Sequence, residues 1–185
     1  MNFARGCNRS MNPIDKIAHQ VADDLQRLKL NIVFAESCTC GSLAATLGRI
    51  PGISKNLCGS AVTYQNETKS GWLGIPNEIL IQPGPVSEIV ARLMVEGVLK
   101  TTPHAGIAVS VTGNLGPCDK DEKLDGVVYV GIGYRNPEQS IEVNRLLLPD
   151  KYIQQTEEHT LRLCRLDDLL QQIFKLLLQS LAERS

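Results

Sequence analysis

Aromatic residues make up only 4% of this 185-residue chain, so Leu, Ile, Val and Ala must build whatever core it has. Charge of neither sign is in excess: 19 basic residues stand against 20 acidic ones, a formal net charge of -1. No field that weak calls for nucleic acid or an anionic membrane surface as partner. No apolar run approaches the roughly 18 residues of a membrane span. The N-terminus, MNFARGCNRSMNP, has two arginines but no apolar stretch behind them, so it is not a secretory signal. Residues 1–12 read as a loosely packed extension and 13–185 as one domain. The six cysteines (7, 38, 40, 58, 118 and 164) could frame disulfides. In a chain of ordinary size without an export signal, reduced thiols and a cytoplasmic location are the expectation.

The three histidines supply no obvious chemistry. His19 lies in a helical stretch, His104 follows a proline in a loop, and His159 opens the last helical stretch. None accompanies a strand-end acid, which argues against a Ser-His-Asp triad. None clusters with Cys or carboxylates at metal-ligand spacing, and Cys38-x-Cys40 alone is a weak zinc signal, so no metal is expected.

What is present is a globular mix, 43% hydrophobic and 21% charged. Ile14, Ile17, Ala18, Val21, Leu25 and Leu28 recur at steps of three and four, predicting an amphipathic helix from Pro13 to about Lys29. A strand is expected over 31–35, then a helix from near Cys38 to Ile50, stopped by Pro51-Gly52. Further strands are expected at 59–64, 106–112, 126–134 and about 140–148. Helices are expected at 67–73, 76–81, from Ser87 as N-cap to about Leu99, and from Thr156 to Ala182. The short turn at Asn136-Pro137 makes the last two strands antiparallel. The fold class is therefore α/β: a three-layer α/β/α sandwich around a mixed, mainly parallel sheet. The lone Trp72 reads as core. The last helix is apolar on more than one side, which fits either a homo-oligomer surface or a simply buried helix.

"AESCTCGS", residues 35–42, stands where the first strand ends and a helix begins. Ser37 there would lie at the carboxyl edge of the sheet, where open α/β folds place their sites. The N–H groups of Thr39, Cys40 and Gly41 could hold an oxyanion or a phosphate. The plainer alternative is that Ser37 or Thr39 only caps the helix. Lys69, at the end of "VTYQNETK", is the candidate base for Ser37. It would need partial desolvation to bring its pKa down from about 10.4 toward neutrality. The alternative is a solvated surface lysine.

"AESCTCGSLAA", "SAVTYQNETKSGWLGI", "GPVSEIVARLMVEGVL", "IAVSVTGNLGP" and "KLDGVVYVGI", in that order, resemble the CinA C-terminal-domain family from about residue 13 onward. That resemblance implies hydrolysis of the carboxamide of nicotinamide mononucleotide to nicotinic acid mononucleotide and ammonia, in pyridine-nucleotide salvage. It implies no cofactor, a small-molecule nucleotide as partner, Ser37 as nucleophile and Lys69 as its activator. Tyr64 and Asn66 match the lysine's block and would orient it or line the pocket. Glu36, Thr39, Cys40, Gly41, Thr112, Gly113 and Asn114 fall in the substrate-binding blocks, with Glu36 holding the loop rather than reacting.

The chain also departs from the family pattern. Cys40 stands where the family has a glycine and could narrow the site's mouth. Asn114-Leu115 replaces Ile-Ala, and the following glycine run gives way to a loop carrying Asp119, Asp121 and Asp125. Three acids there would repel a phosphate. The arginines typical of the last helix's start are replaced by Gln154, Gln155 and Thr156, with Lys151 and Arg162 the nearest cations. The alternatives to the amidase are thus a different amide substrate, or a non-catalytic protein that binds a nucleotide or a partner.

Overall fold

The computed structural model describes residues 12–117, 122–136, 141–149 and 158–184. The extension before residue 12, Asp119, Asp121, Pro137, Lys151 and residues 154–157 lie outside the described residues.

Helix α1 (Pro13–Arg27) begins where Asn12 accepts a hydrogen bond from the Asp15 amide at 2.7 Å and Pro13 occupies the first turn. Its inward stripe of Ile14, Ala18, Val21, Ala22 and Leu25 is buried, as the three-and-four spacing predicts. Strand β1 (Ile32–Glu36) is buried along its whole length. It lies between β2 (Leu57–Val62) and β3 (Ile107–Gly113), parallel to both. Strands β4 (Val127–Tyr134) and β5 (Glu142–Leu147) follow as antiparallel neighbours, giving the order β2-β1-β3-β4-β5. Four strands therefore run one way and β4 alone against them, which is the mixed, mainly parallel sheet expected.

Alternation along β1 sorts the two cores. Ile32 and Phe34 face α1, α2 (Ser42–Leu47) and α6 (Glu158–Ala182). Val33 and Ala35 face α3 (Asn66–Leu73), α4 (Asn77–Ile81) and α5 (Glu88–Thr101). Three layers result. Apart from its first turn, the broad apolar surface of α6 is mostly taken up by the first core, through Leu169, Ile173, Phe174, Leu177 and Leu181. Among its described large apolar side chains, Leu163 alone is strongly exposed.

Three local expectations are corrected. The second helix starts at Ser42, not near Cys38, because the backbone passes through left-handed geometry at Cys40 (φ 49°) and Gly41 (φ 90°). Ser87 occupies the N-cap position of α5, but its hydroxyl donates to the Gly84 carbonyl instead of accepting from the helix. Trp72 is 58% exposed rather than core. Lys69 and Leu73, four residues apart, take the inward face of α3 and leave Trp72 turned away.

Candidate active site

At the carboxyl end of β1 the side-chain alternation puts Glu36 and Ser37 on opposite faces. Glu36 is fully buried on the α2 side. Its Oε2 accepts from the Leu43 amide at 3.0 Å and from the Thr39 hydroxyl at 2.8 Å. Its Oε1 accepts from the Ala44 amide at 3.1 Å and from the Ser60 hydroxyl at 3.0 Å. Glu36, and neither Ser37 nor Thr39, caps the helix that follows. These four bonds tie Glu36 to the loop, to β2 and to the start of α2. Thr39 is part of the same network.

Ser37 faces the other way, toward α3 and α5. Its amide donates to the Val111 carbonyl at 3.0 Å, tying the loop to β3. Lys69 approaches from α3: its Nζ lies 3.0 Å from Ser37 Oγ, 2.8 Å from the Thr63 carbonyl and 3.0 Å from the Tyr64 carbonyl. Its side chain is buried, and that burial lowers its pKa from 10.5 to about 8. The neutral amine has two N–H donors and one lone pair. Two carbonyls for the donors leave the lone pair to the serine hydroxyl.

The pair opens on a cavity of about 220 Å³. Tyr64, Asn66, Thr112, Gly113 and Asn114 line it together with Ser37 and Lys69, as their blocks suggested. Glu36, Thr39, Cys40 and Gly41 are not among the lining residues. Cys40 is exposed. Its amide donates to the Ser37 carbonyl at 3.0 Å, which removes it from the expected set of oxyanion donors.

Four lining residues escaped the sequence reading as site residues: Cys38, the pair Pro85-Val86, and Leu115. Burial pushes the Cys38 thiol up to about 12 against the opposing pull of Arg162 and Lys69, so it is a neutral wall at ordinary pH. Arg162, named in the sequence only as a nearby cation, reaches the cavity from α6, and its Nη2 donates to the Tyr64 hydroxyl at 3.0 Å.

The acid of the rebuilt loop that can be placed does not stand free. Asp125 Oδ2 pairs with Arg165 Nη2 at 2.8 Å, and the Arg165 side chain is fully buried. The repulsion expected from Asp125 is therefore met by a guanidinium. Among the described residues, no group of three His, Cys, Asp or Glu converges as a metal site, and no helix is long and apolar enough to cross a membrane.

The loop after β1 that carries Ser37, Lys69 of α3 and the cavity wall at the end of β3 all fall within residues 14–166, which match the CinA C-terminal domain model. The chain belongs to that family. A CinA-like protein of Gemmatimonas aurantiaca is 38% identical over 136 residues, 73% of this chain and 31% of that protein. A CinA-like protein of Dictyoglomus thermophilum is 42% identical over 116 residues, 62% of this chain and 28% of that protein. The chain thus spans under a third of the length of these curated relatives. In three dimensions it resembles the competence/damage inducible protein CihA of Agrobacterium tumefaciens, with TM-score 0.78 and 29% identity over 94% of this chain and 99% of that one. A CinA superfamily protein from Klebsiella pneumoniae, at 24% identity, shares the fold with TM-score 0.80 over 93% of this chain and 99% of that one.

Proposed function

We propose that this CinA-family domain is an amidohydrolase acting on the carboxamide of nicotinamide mononucleotide, with Ser37 as nucleophile and Lys69 as general base. The observation that carries this is the 3.0 Å contact between Lys69 Nζ and Ser37 Oγ, with both remaining lysine contacts made to backbone carbonyls. A lysine so desolvated holds a usable fraction of free amine near neutral pH.

In this mechanism Ser37 Oγ attacks the carboxamide carbon while its proton passes to Lys69. Asn66 shares a face of α3 with Lys69, three residues on, and offers its side-chain amide to the developing oxyanion. The Lys69 ammonium returns its proton to the leaving nitrogen, which departs as ammonia and leaves an acyl ester on Ser37. Water then attacks that ester while Lys69 takes its proton, Lys69 passes that proton to the departing Ser37 Oγ, and the acid product leaves as its carboxylate with its own proton lost to solvent. Arg162 is the cation available to the substrate's phosphate.

The test is ammonia release from nicotinamide mononucleotide by the purified protein beside Ser37→Ala. Release that disappears in the variant supports the amidase; no release from the wild type refutes this substrate. One observation favours a second reading, an amidase for an amide without a phosphate: Arg162 is the only cation besides Lys69 among the described lining residues. Faster turnover of the unphosphorylated riboside than of the mononucleotide is what that reading requires.

A further inference from the structure

The β3 side of the cavity offers fewer free polar groups than its residue names suggest. The Thr112 hydroxyl is already committed, donating to the Pro85 carbonyl at 2.7 Å. Gly113 brings no side chain. Asn114, next along, is anchored by its own amide, which donates to the Val127 carbonyl at 2.9 Å. Its side-chain Oδ1 accepts from the Gly116 amide at 2.8 Å. That bond identifies the oxygen, which is turned to the loop, so a side-chain bond from Asn114 to a ligand in the cavity it lines would come from the N–H donors of Nδ2.

The loop behind it is held firmly. Arg165 Nη1 donates to the Leu115 carbonyl at 3.3 Å while Nη2 pairs with Asp125. Gly116 (φ 70°) packs so closely on this pair that a Cβ would run into both Arg165 Nη1 and Asp125 Oδ1. A donor on such a support is oriented before the ligand arrives, so its hydrogen bond costs little ordering entropy.

Its position decides what it meets. The Ser37 amide is bonded to Val111, and Asn114 lies three residues further on, at most about 10 Å along an extended strand. With the reacting carboxamide on Ser37, Asn114 faces the far side of the ring and the first atoms of its substituent. We propose that Asn114 is a specificity-determining residue whose Nδ2 donates to a neutral oxygen of the sugar-like substituent, so that the cavity reads a nucleoside rather than a bare ring. This rests on the amidase reading for the placement of the carboxamide.

Two variants with different side effects test it. Asn114→Asp keeps the oxygen that Gly116 needs and removes the donor; Asn114→Ile removes both. The charge of the Asp variant acts against the anionic mononucleotide and in favour of the cationic riboside, so weakening common to both ligands measures the donor. Binding of mononucleotide, riboside and nicotinamide is followed by calorimetry, alongside kcat and KM for ammonia release. The expected result is a rise of about tenfold in Kd and KM for both nucleosidic ligands in both variants, with kcat and nicotinamide binding unchanged. An Asp variant equal to wild type for the riboside, or equal losses with nicotinamide, overturns the inference and leaves Asn114 a loop support. Ammonia release indifferent to Asn114 overturns it while the amidase stands. Asn114-dependent riboside binding without any ammonia release upholds it while the amidase falls. Neither binding nor release overturns both.

Discussion

Lys69 Nζ rests 3.0 Å from Ser37 Oγ with its other two contacts fixed on the carbonyls of Thr63 and Tyr64, at 2.8 Å and 3.0 Å. No carboxylate or second base is needed to account for this geometry, because the backbone itself aims the amine. Replacing Lys69 by Met should therefore cost turnover by about 10²–10⁴-fold, the usual worth of a positioned general base. Ser37→Ala should cost at least as much. Circular dichroism and thermal melting beside the rate assay separate lost chemistry from lost fold. A Lys69→Met protein that is folded and fully active would sink the pair as a catalytic unit.

The pH profile carries the sign of the lysine's shift. Burial lowers the Lys69 pKa to about 8, and the proposed mechanism uses the neutral amine. The rate should rise about tenfold per pH unit on the acid side and level off above pH 8. Stability follows the same direction. Between pH 8 and 10.5 the unfolded chain holds the proton that the folded one has released, so Lys69 makes stability rise with pH by about 3 kcal/mol over that window. Chemical denaturation of wild type and Lys69→Met across that range isolates the contribution.

Arg162 gives a prediction about ligand charge. It lines the cavity and holds the Tyr64 hydroxyl at 3.0 Å with one nitrogen, leaving other N–H groups for an anion. Arg162→Ala should raise KM for the mononucleotide by about tenfold or more, the worth of a hydrogen bond to a charged group, and leave the riboside nearly unaffected. Equal losses for both ligands would mean that Arg162 acts through Tyr64 and not on phosphate.

Glu36, next to Ser37 in the chain, is a structural residue. Its two buried oxygens accept four hydrogen bonds, two of them from the first amides of α2. In Glu36→Gln one oxygen becomes an NH2 group that faces a hydroxyl able to turn and accept but also an α2 amide N–H that loses its acceptor, so the variant should lose about 2 kcal/mol of unfolding free energy. Urea denaturation checks it. A loss under 0.5 kcal/mol would show that the network tolerates an amide.

Much of this was legible beforehand, and for identifiable reasons. The stripe of α1 and the alternation along β1 are periodic features, so their faces follow from spacing alone. Ser37 and Lys69 could be proposed because Ser37 directly follows a strand and Lys69 stands in the first turns of the helix after the next one. What spacing could not provide was direction. The cap of α2 is Glu36, six residues before the helix begins, and only the left-handed turn at Cys40 and Gly41 folds the helix back onto it. Asp125 read as a free acid because its partner Arg165 is forty residues away on another element. Arg162 stood out only as a nearby cation, since a helix of this length shows its facing only once it is packed.

Cys40 yields the last prediction, and it concerns stability alone. Its φ of 49° lies where a side chain crowds the following carbonyl, a cost of about 1–2 kcal/mol for an L-residue. Glycine removes that cost but gives back about 0.5–1 kcal/mol in unfolded-chain freedom. Cys40→Gly should therefore gain about 0.5–1 kcal/mol, a rise of about 2 °C in Tm for a chain of this size. Because Cys40 is exposed and not among the cavity-lining residues, kcat and KM should not move. A lower Tm would mean that the thiol makes an interaction worth more than the strain. A changed KM would place its side chain over the cavity mouth after all, as the sequence first suggested.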